Sequence, residues 1–244
     1  MSEASERLHH LLRLIDAEPA ADDHGGLGDR LDRICRVAVR ILPADGAGVT
    51  LMGSDAHPIG TIAASSPLFR DLEEMQFTLG EGPCIEASTA RSPVLEESLG
   101  QAGRRRWPAY AAAAQDAGVN AVFAFPIHVG AARLGVLDVY RYRKGPLTLE
   151  SLRDAMSLAR ICLTTMLRLP AGEPVGEAVD GMGDAFGLSL EVYQAQGVVM
   201  VQLGVPLAEA MVRLRAHAYA GGRPIGDVAR EVLAGTIVFT REDV

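Results

Sequence analysis

The stretch Ala121-Val-Phe-Ala-Phe-Pro-Ile-His-Val-Gly-Ala-Ala-Arg-Leu-Gly-Val-Leu-Asp-Val-Tyr-Arg-Tyr142 decides the fold class. It holds two β-rich runs, Ala121 to Val129 and Arg133 to Tyr142, on either side of a turn containing Gly130. Strand formers in two runs joined by a short glycine turn predict an antiparallel hairpin, expected to supply central strands.

Toward the N-terminus, Pro93 to Leu95 reads as a brief strand and Trp107 to Ala117 as a helix. Leu79-Gly-Glu-Gly-Pro-Cys84 is a glycine-punctuated turn, with Pro83 suited to the first position of a helix running to about Thr89. Phe69 to Met75 is expected to form a short helix. Ala47 to Met52 and His57 to Ala64 predict a second hairpin about Gly53-Ser-Asp55. Between Leu27 and Leu42, the residues Leu31, Ile34, Cys35, Ala38 and Ile41 recur at three- and four-residue steps. That period predicts an amphipathic helix, which Pro43 and Gly46 stop.

Toward the C-terminus, Leu149, Leu152, Met156, Ala159, Leu163 and Met166 alternate steps of three and four, the pattern of a helix with a coiled-coil-like stripe. Helical order fails at Pro170, and the following stretch is rich in Gly, Asp and Glu, as linkers are. Three helical patterns follow, roughly Glu191 to Leu203, Pro206 to Tyr219 and Pro224 to Thr236, punctuated by Gly204, Gly221 and Gly222. The expected class is α+β: an antiparallel sheet flanked by helices, then an all-α three-helix module. The expected divisions are an amphipathic extension over 1–26, the α+β domain over 27–169, a linker over 170–187 and the helical module over 188–244.

A chain of 244 residues has room for one such domain and a smaller module. With 48% hydrophobic and 22% charged residues it has the composition of a globular protein able to bury a core. The net charge of -8, with Lys144 the one lysine, excludes non-specific wrapping of nucleic acid by the whole surface. Any such contact is local and made by arginine, whose planar fork suits phosphate and base edges. The run Glu6-Arg-Leu-His-His-Leu-Leu-Arg13 lacks the apolar core of a signal peptide, and no stretch approaches the roughly 18 apolar residues of a membrane span. The expected location is cytoplasmic, with no membrane partner. Cys35, Cys84 and Cys162 lie far apart without a Cys-x-x-Cys pair, which excludes a local zinc knuckle and argues against a disulfide scaffold. No metal site and no cofactor are expected.

The order helix, hairpin, glycine turn, helix, hairpin, helix resembles the GAF domain. The resemblance is carried by Gly80-Glu-Gly-Pro-Cys84, Ala124-Phe-Pro-Ile-His128 and Leu134-Gly-Val-Leu-Asp-Val-Tyr140. It implies a sensor, responsive to an unknown small-molecule or protein signal. Gln194-Ala-Gln-Gly-Val-Val-Met200, Ala208-Glu-Ala210 with Leu214-Arg215, and Arg223-Pro-Ile-Gly-Asp-Val-Ala-Arg230 resemble the ANTAR domain. That family is an RNA-binding antitermination module that recognises paired hairpins as a dimer. The resemblance therefore implies a transcription antitermination regulator rather than an enzyme, with RNA hairpins as partner and a homodimer as the working form.

Two departures from the ANTAR pattern both remove positive charge. Gln196 stands where the family commonly has Lys, and Ala234-Gly-Thr-Ile-Val-Phe239 stands where related sequences often end in a basic run. From Leu188 onward, five arginines face six acidic residues. A second reading therefore stays open, in which the module has lost RNA affinity and acts through protein–protein interaction.

The RNA-facing candidates are Gln194, Gln196, Gly197, Arg213, His217, Arg223 and Arg230. Val192, Ala195, Val199 and Leu203 form the buried stripe of the first helix, leaving the two glutamines on polar faces. Arg213 and His217 share a face and could grip one phosphate, but Glu209 lies four residues before Arg213 and competes as an ion pair. Arg223 precedes the third helix, where its guanidinium and backbone donors could meet an anion. Arg230 has Asp227 as an intrahelical competitor.

In the first domain, Cys84 and His128 are the candidates for a sensor pocket. Cys84 stands near a helix N-terminus, where the dipole favours a reactive thiolate; the competing reading is a buried structural thiol. The reactive reading would make the chain a redox enzyme, and a GAF-like family of methionine sulfoxide reductases carries a cysteine in a similar turn. His128 shares the alternation phase of Val122, Ala124 and Pro126, which points it into a pocket or toward a haem, against the plainer structural role of a lone histidine. Gly80 and Gly82 lack the third glycine of a nucleotide fingerprint and serve the turn.

Overall fold

The computed structural model of the chain describes residues 3–20, 26–53, 58–167 and 183–240. Helices α1 (Glu3–Ala17) and α2 (Leu27–Ile41) lead into strands β1 (Gly46–Met52) and β2 (Pro58–Ala64). Helices α3 (Pro67–Leu79) and α4 (Pro83–Ala90), strand β3 (Val94–Glu96), and helices α5 (Gln101–Arg106) and α6 (Pro108–Asp116) follow. Strands β4 (Ala121–Val129) and β5 (Ala132–Arg141) then precede the long helix α7 (Leu149–Leu167). The C-terminal module is α8 (Gly183–Leu203), α9 (Leu207–Ala220) and α10 (Ile225–Leu233).

All strand pairings are antiparallel, in the order β2-β1-β5-β4-β3. The hairpin expected from the opening stretch is therefore central. Side chains alternate across a strand with a period of two, and here both phases are apolar because both faces are covered. Ala47, Val49, Phe123, Phe125, Leu137 and Val139 face α1, α2 and α7 in one core. Met52, Val122, Ala124, Val136 and Tyr140 face α3, α4 and α6 in a second. The phase of Met52 also carries Gly46, Gly48 and Thr50. The two glycines let α3 approach closely, because a β-carbon on Gly46 would strike the Phe69 ring and one on Gly48 the Glu73 side chain.

Helix α1 is part of this body rather than an appendage: Leu11 and Ile15 are buried in the first core. The stripe read along α7 is divided by packing. Ala159 and Met166 are buried and Leu152 and Leu163 partly so, whereas Leu149 and Met156 face outward. The core-facing side is led by Ala155, Leu158, Ile161 and Cys162 instead.

Helix α3 is longer than Phe69 to Met75, running on to Leu79, where Gly80 takes the left-handed cap at φ 69°. Helix α5 escapes sequence reading because Gln101-Ala-Gly-Arg-Arg-Arg106 has no apolar period. Helix α8 starts at Gly183, inside the stretch read as linker; glycines at 183 and 187 each cost a helix about 1 kcal/mol against alanine, which hides it from a propensity reading. Residues 170–182, the rest of that stretch, lie outside the described residues, as do 168–169 before it and 54–57 in the first hairpin.

The C-terminal module buries Val192, Ala195, Val199 and Leu203 of α8 against Met211, Leu214 and Ala218 of α9 and Ile225, Val228 and Val232 of α10. Phe77, from α3, is buried in this same core. The end of α3 is thus the joint between the modules, reinforced where the Ile225 amide donates to Thr78 Oγ1 at 3.4 Å. Among the described residues no single helix is long and apolar enough to cross a membrane; α8 and α9 together have the composition, but they meet at 105°.

Candidate functional site

Two regions gather chemistry-bearing side chains. The first lies inside the second core of the α+β domain. Asp138 falls between Val136 and Tyr140 on the inward phase of β5 and is fully buried. Its cross-strand partner on β1 is Gly48, which leaves room for Glu73 from α3. Glu73 accepts hydrogen bonds from Thr50 Oγ1 at 2.7 Å and from the Tyr140 hydroxyl at 2.8 Å. One turn on, Gln76 donates through Nε2 to Asp138 Oδ2 at 3.0 Å and accepts the Cys84 amide at 2.9 Å, which sets which way its amide points. Gly82, at φ 143°, leaves space for that glutamine: a β-carbon there would lie 2.3 Å from Gln76 Oε1. Glu73, Cys84 and Asp138 thereby present ligand-type atoms all within 4.8 Å of one another.

Burial dominates the electrostatics here. It pushes the carboxyl of Glu73 up and that of Asp138 well up, the latter helped by the neighbouring Glu73. The Tyr110 and Tyr140 phenols move up for the same reason. Arg70 acts on Glu73 only from a distance; its Nη1 donates to the Thr61 carbonyl. Among the described residues, no Lys or Arg pairs with either carboxylate.

Cys84 stands at the N-terminus of α4, as expected, but inside the core. Burial, with Asp138 next, pushes its thiol well above the ordinary range, opposite to the effect of a helix terminus. A thiolate poised for nucleophilic chemistry is therefore not what the free protein holds there. His128 is not brought to this cluster. The register shifts between Ile127 and His128, and His128 borders a groove of about 340 Å³ formed with Phe125, Ile127 and, from α7, Met156 and Leu163. This bulge breaks the alternation that assigned it to the face of Val122 and Ala124.

The second region is the surface of the C-terminal module. Gln194 is exposed on α8. Gln196 donates through Nε2 to the Leu207 carbonyl at 2.7 Å, tying α8 to the start of α9. A β-carbon on Gly197 would meet nothing within 4 Å, so packing does not call for glycine there. Arg213 pairs with Glu209 at 3.2 Å, and the rings of His217 and Phe239 meet edge to face with centroids 5.3 Å apart. Arg223 is held bidentately by Glu231 at 2.6 and 2.9 Å. Arg230 contacts Asp227 and lies 4.0 Å from Glu191. Each of these three arginines thus carries a carboxylate partner, and the exposure of the pairs leaves them screened by solvent.

Sequence reading missed Glu73, Gln76, Tyr110 and Asp138 in the first region and Arg215 in the second. A signal for the first group exists. Asp138 is a charged residue on the inward phase of a central strand, and Glu73 and Gln76 keep helical step with Phe69 and Leu72 on an apolar face. Arg215 stands in the ANTAR-like motif, but its contact with the turn at Gly80 depends on how α9 meets that turn.

A family model described as a GAF domain matches residues 26–164, and one described as an ANTAR domain matches residues 191–233. No curated protein sequence matches the chain. Among solved structures, the GAF domain of an Acinetobacter phosphoenolpyruvate-protein phosphotransferase is similar with a TM-score of 0.51 at 14% identity, covering 72% of this chain and 99% of that one. The GAF domain of the corresponding Coxiella burnetii protein gives 0.50 at 16% identity, covering 70% and 98%. At such identities the likeness speaks for the fold. The matched spans run from α2 into α7 and from within α8 to the end of α10, and the chain belongs to the GAF domain family, joining to that domain an ANTAR domain, a regulatory module of RNA-binding type.

Proposed function

We propose that this chain is a signal-responsive transcription antitermination regulator whose C-terminal module binds paired hairpins in nascent RNA as a homodimer, so that transcription continues. The observation that carries the reading is the ANTAR match on α8 to α10. The placement of Gly197 supports it. A glycine inside a helix costs about 1 kcal/mol against alanine, and among the described residues nothing occupies the space its β-carbon would take. Close approach of a partner's backbone or base is a reason to keep it bare. Gln194 is free on the same helix to read unpaired bases by hydrogen bonding, a mode that depends less on total charge. The signal reaches the module through the end of α3, where Phe77 sits in the module's core. No covalent step is required.

The test is titration of the purified full chain against a two-hairpin RNA and a scrambled control at two salt concentrations. The reading expects selective binding that weakens in Gln194→Ala, Arg213→Ala and Arg223→Ala. Equal, weak binding of both RNAs, with or without cell extract to supply the signal, would reject it. The ion pairing of Arg213, Arg223 and Arg230 favours a second reading, a sensor acting by protein–protein interaction with RNA affinity lost. Absence of any preference for the hairpins would support that alternative.

A further inference from the structure

We propose that Glu73, Cys84 and Asp138 form a binding site for a divalent transition-metal cation in the core of the GAF domain. It stands on that core alone, whether or not the C-terminal module takes RNA. Three acid groups from α3, α4 and β5 converge with their ligand atoms within 4.8 Å of one another and essentially no solvent exposure. Carboxyls buried together, with no cationic side chain beside them among the described residues, either keep their protons or give them up to a metal. Two further atoms are left over. Asp138 Oδ1, whose sister oxygen accepts from Gln76, makes no hydrogen bond of ordinary geometry, and neither does the Tyr110 hydroxyl, fully buried beside the cluster and next to Tyr140. An ion bound between the three acids would engage Asp138 Oδ1 directly. It would leave a coordination position for a water or exogenous ligand that the Tyr110 hydroxyl can meet.

The donor set selects the class of ion. One thiolate and two carboxyl groups suit a borderline dication such as zinc, cobalt(II) or iron(II), whereas magnesium and calcium take oxygen alone. Metal–sulfur and metal–oxygen lengths of about 2.3 and 2.1 Å place tetrahedral donors roughly 3.5 Å apart, so the side chains, within 4.8 Å of one another, draw in by no more than about an ångström on binding. Binding releases two protons, from the Cys84 thiol and one carboxyl, while the other carboxyl keeps its proton and coordinates through its carbonyl oxygen, so the enclosed site with one ion of charge two stays neutral. The framework is prearranged: Thr50 and Tyr140 hold Glu73, and Gln76 joins Asp138 to the amide of Cys84.

Because the site is enclosed, the test supplies the metal while the chain folds. The full-length protein is expressed in medium supplemented with cobalt(II), or with zinc(II), and its metal content and absorption are measured after purification. One ion per chain is expected, with the near-ultraviolet sulfur-to-cobalt charge-transfer band of a thiolate ligand. Cys84→Ser abolishes that band, while Cys35→Ser and Cys162→Ser keep it. Asp138→Asn weakens retention against a competing chelator by more than the roughly 10–100-fold that follows loss of a residue merely supporting a ligand. A natively folded wild type with neither metal overturns the proposal and makes the carboxyls a proton-sharing pair. A charge-transfer band that persists in Cys84→Ser overturns it equally. Should Asp138→Asn fail to fold, the three cysteine variants decide alone.

Discussion

Gly80 and Arg215 meet where the two modules join: a β-carbon on Gly80 would lie 2.4 Å from Arg215 Nη1. Gly80 caps α3 in the left-handed region, and Arg215 crosses it from α9. Burial there lowers the affinity of the guanidinium for its proton and leaves its Nε without a partner. A side chain at residue 80 therefore faces two penalties, one from its own backbone and one from the guanidinium. Gly80→Ala is expected to destabilise the protein by at least about 1–2 kcal/mol, the cost of the left-handed conformation alone. Thermal unfolding reads this as a fall of about 2–4 °C per kcal/mol for a chain of this size. An unchanged midpoint would show that the turn and the guanidinium relax freely.

Arg215 itself is expected to contribute little to holding the modules together, because it is desolvated without an ion pair among the described residues. Arg215→Met should leave the thermal midpoint unchanged or raise it, as apolar replacements of buried cations do. A drop of several degrees would mean that the guanidinium makes a stabilising contact.

Phe77 belongs to α3 by sequence and to the C-terminal core by packing. Phe77→Ala is expected to cost about 3–5 kcal/mol, the range for deleting a buried ring. Hydrogen exchange should then rise in both α3 and α8 to α10. Loss of protection confined to α3 would show that the C-terminal module holds its core without this residue.

Gly197→Ala separates stability from binding. The substitution meets no atom and is expected to stabilise α8 by about 0.5–1 kcal/mol. The same change should weaken hairpin binding if RNA approaches this face. A variant both more stable and equally tight in binding would remove Gly197 from the interface.

Cys162 gives a pH dependence with a definite sign. Burial pushes its thiol up to about 12 from an ordinary 9.0, so the unfolded chain loses this proton first as pH rises. Stability from the neutral thiol is present in full below pH 9 and is lost between there and about pH 12, with a slope of at most about 1.4 kcal/mol per pH unit. Denaturant unfolding of the wild type should fall more steeply across that window than that of Cys162→Ala, since other groups titrate in both. Parallel profiles would mean the thiol ionises equally in both states.

Much of the fold was legible because periodicity is local. The alternation in Ala121 to Tyr142 determined a central hairpin, and the steps of three and four determined α2, α7 and the C-terminal helices. Motifs at 80–84, 124–140 and 194–230 pointed to both families. The limits of such reading show at α5, which has no apolar period, and at α8, where glycines disguised helical residues as linker.

What only the tertiary structure decided is which side chains meet. Glu73, Cys84 and Asp138 come from two helices and a strand, and they converge because Gly48 stands opposite Asp138 and is bare enough to admit Glu73. Sheet register is a long-range property that no local period encodes. The same holds for Phe77 and Arg215, whose roles at the joint depend on where one helix lands on another. The sequence by itself determined two modules and their kinds; packing between distant segments determined the acid cluster inside one and the contact that couples them.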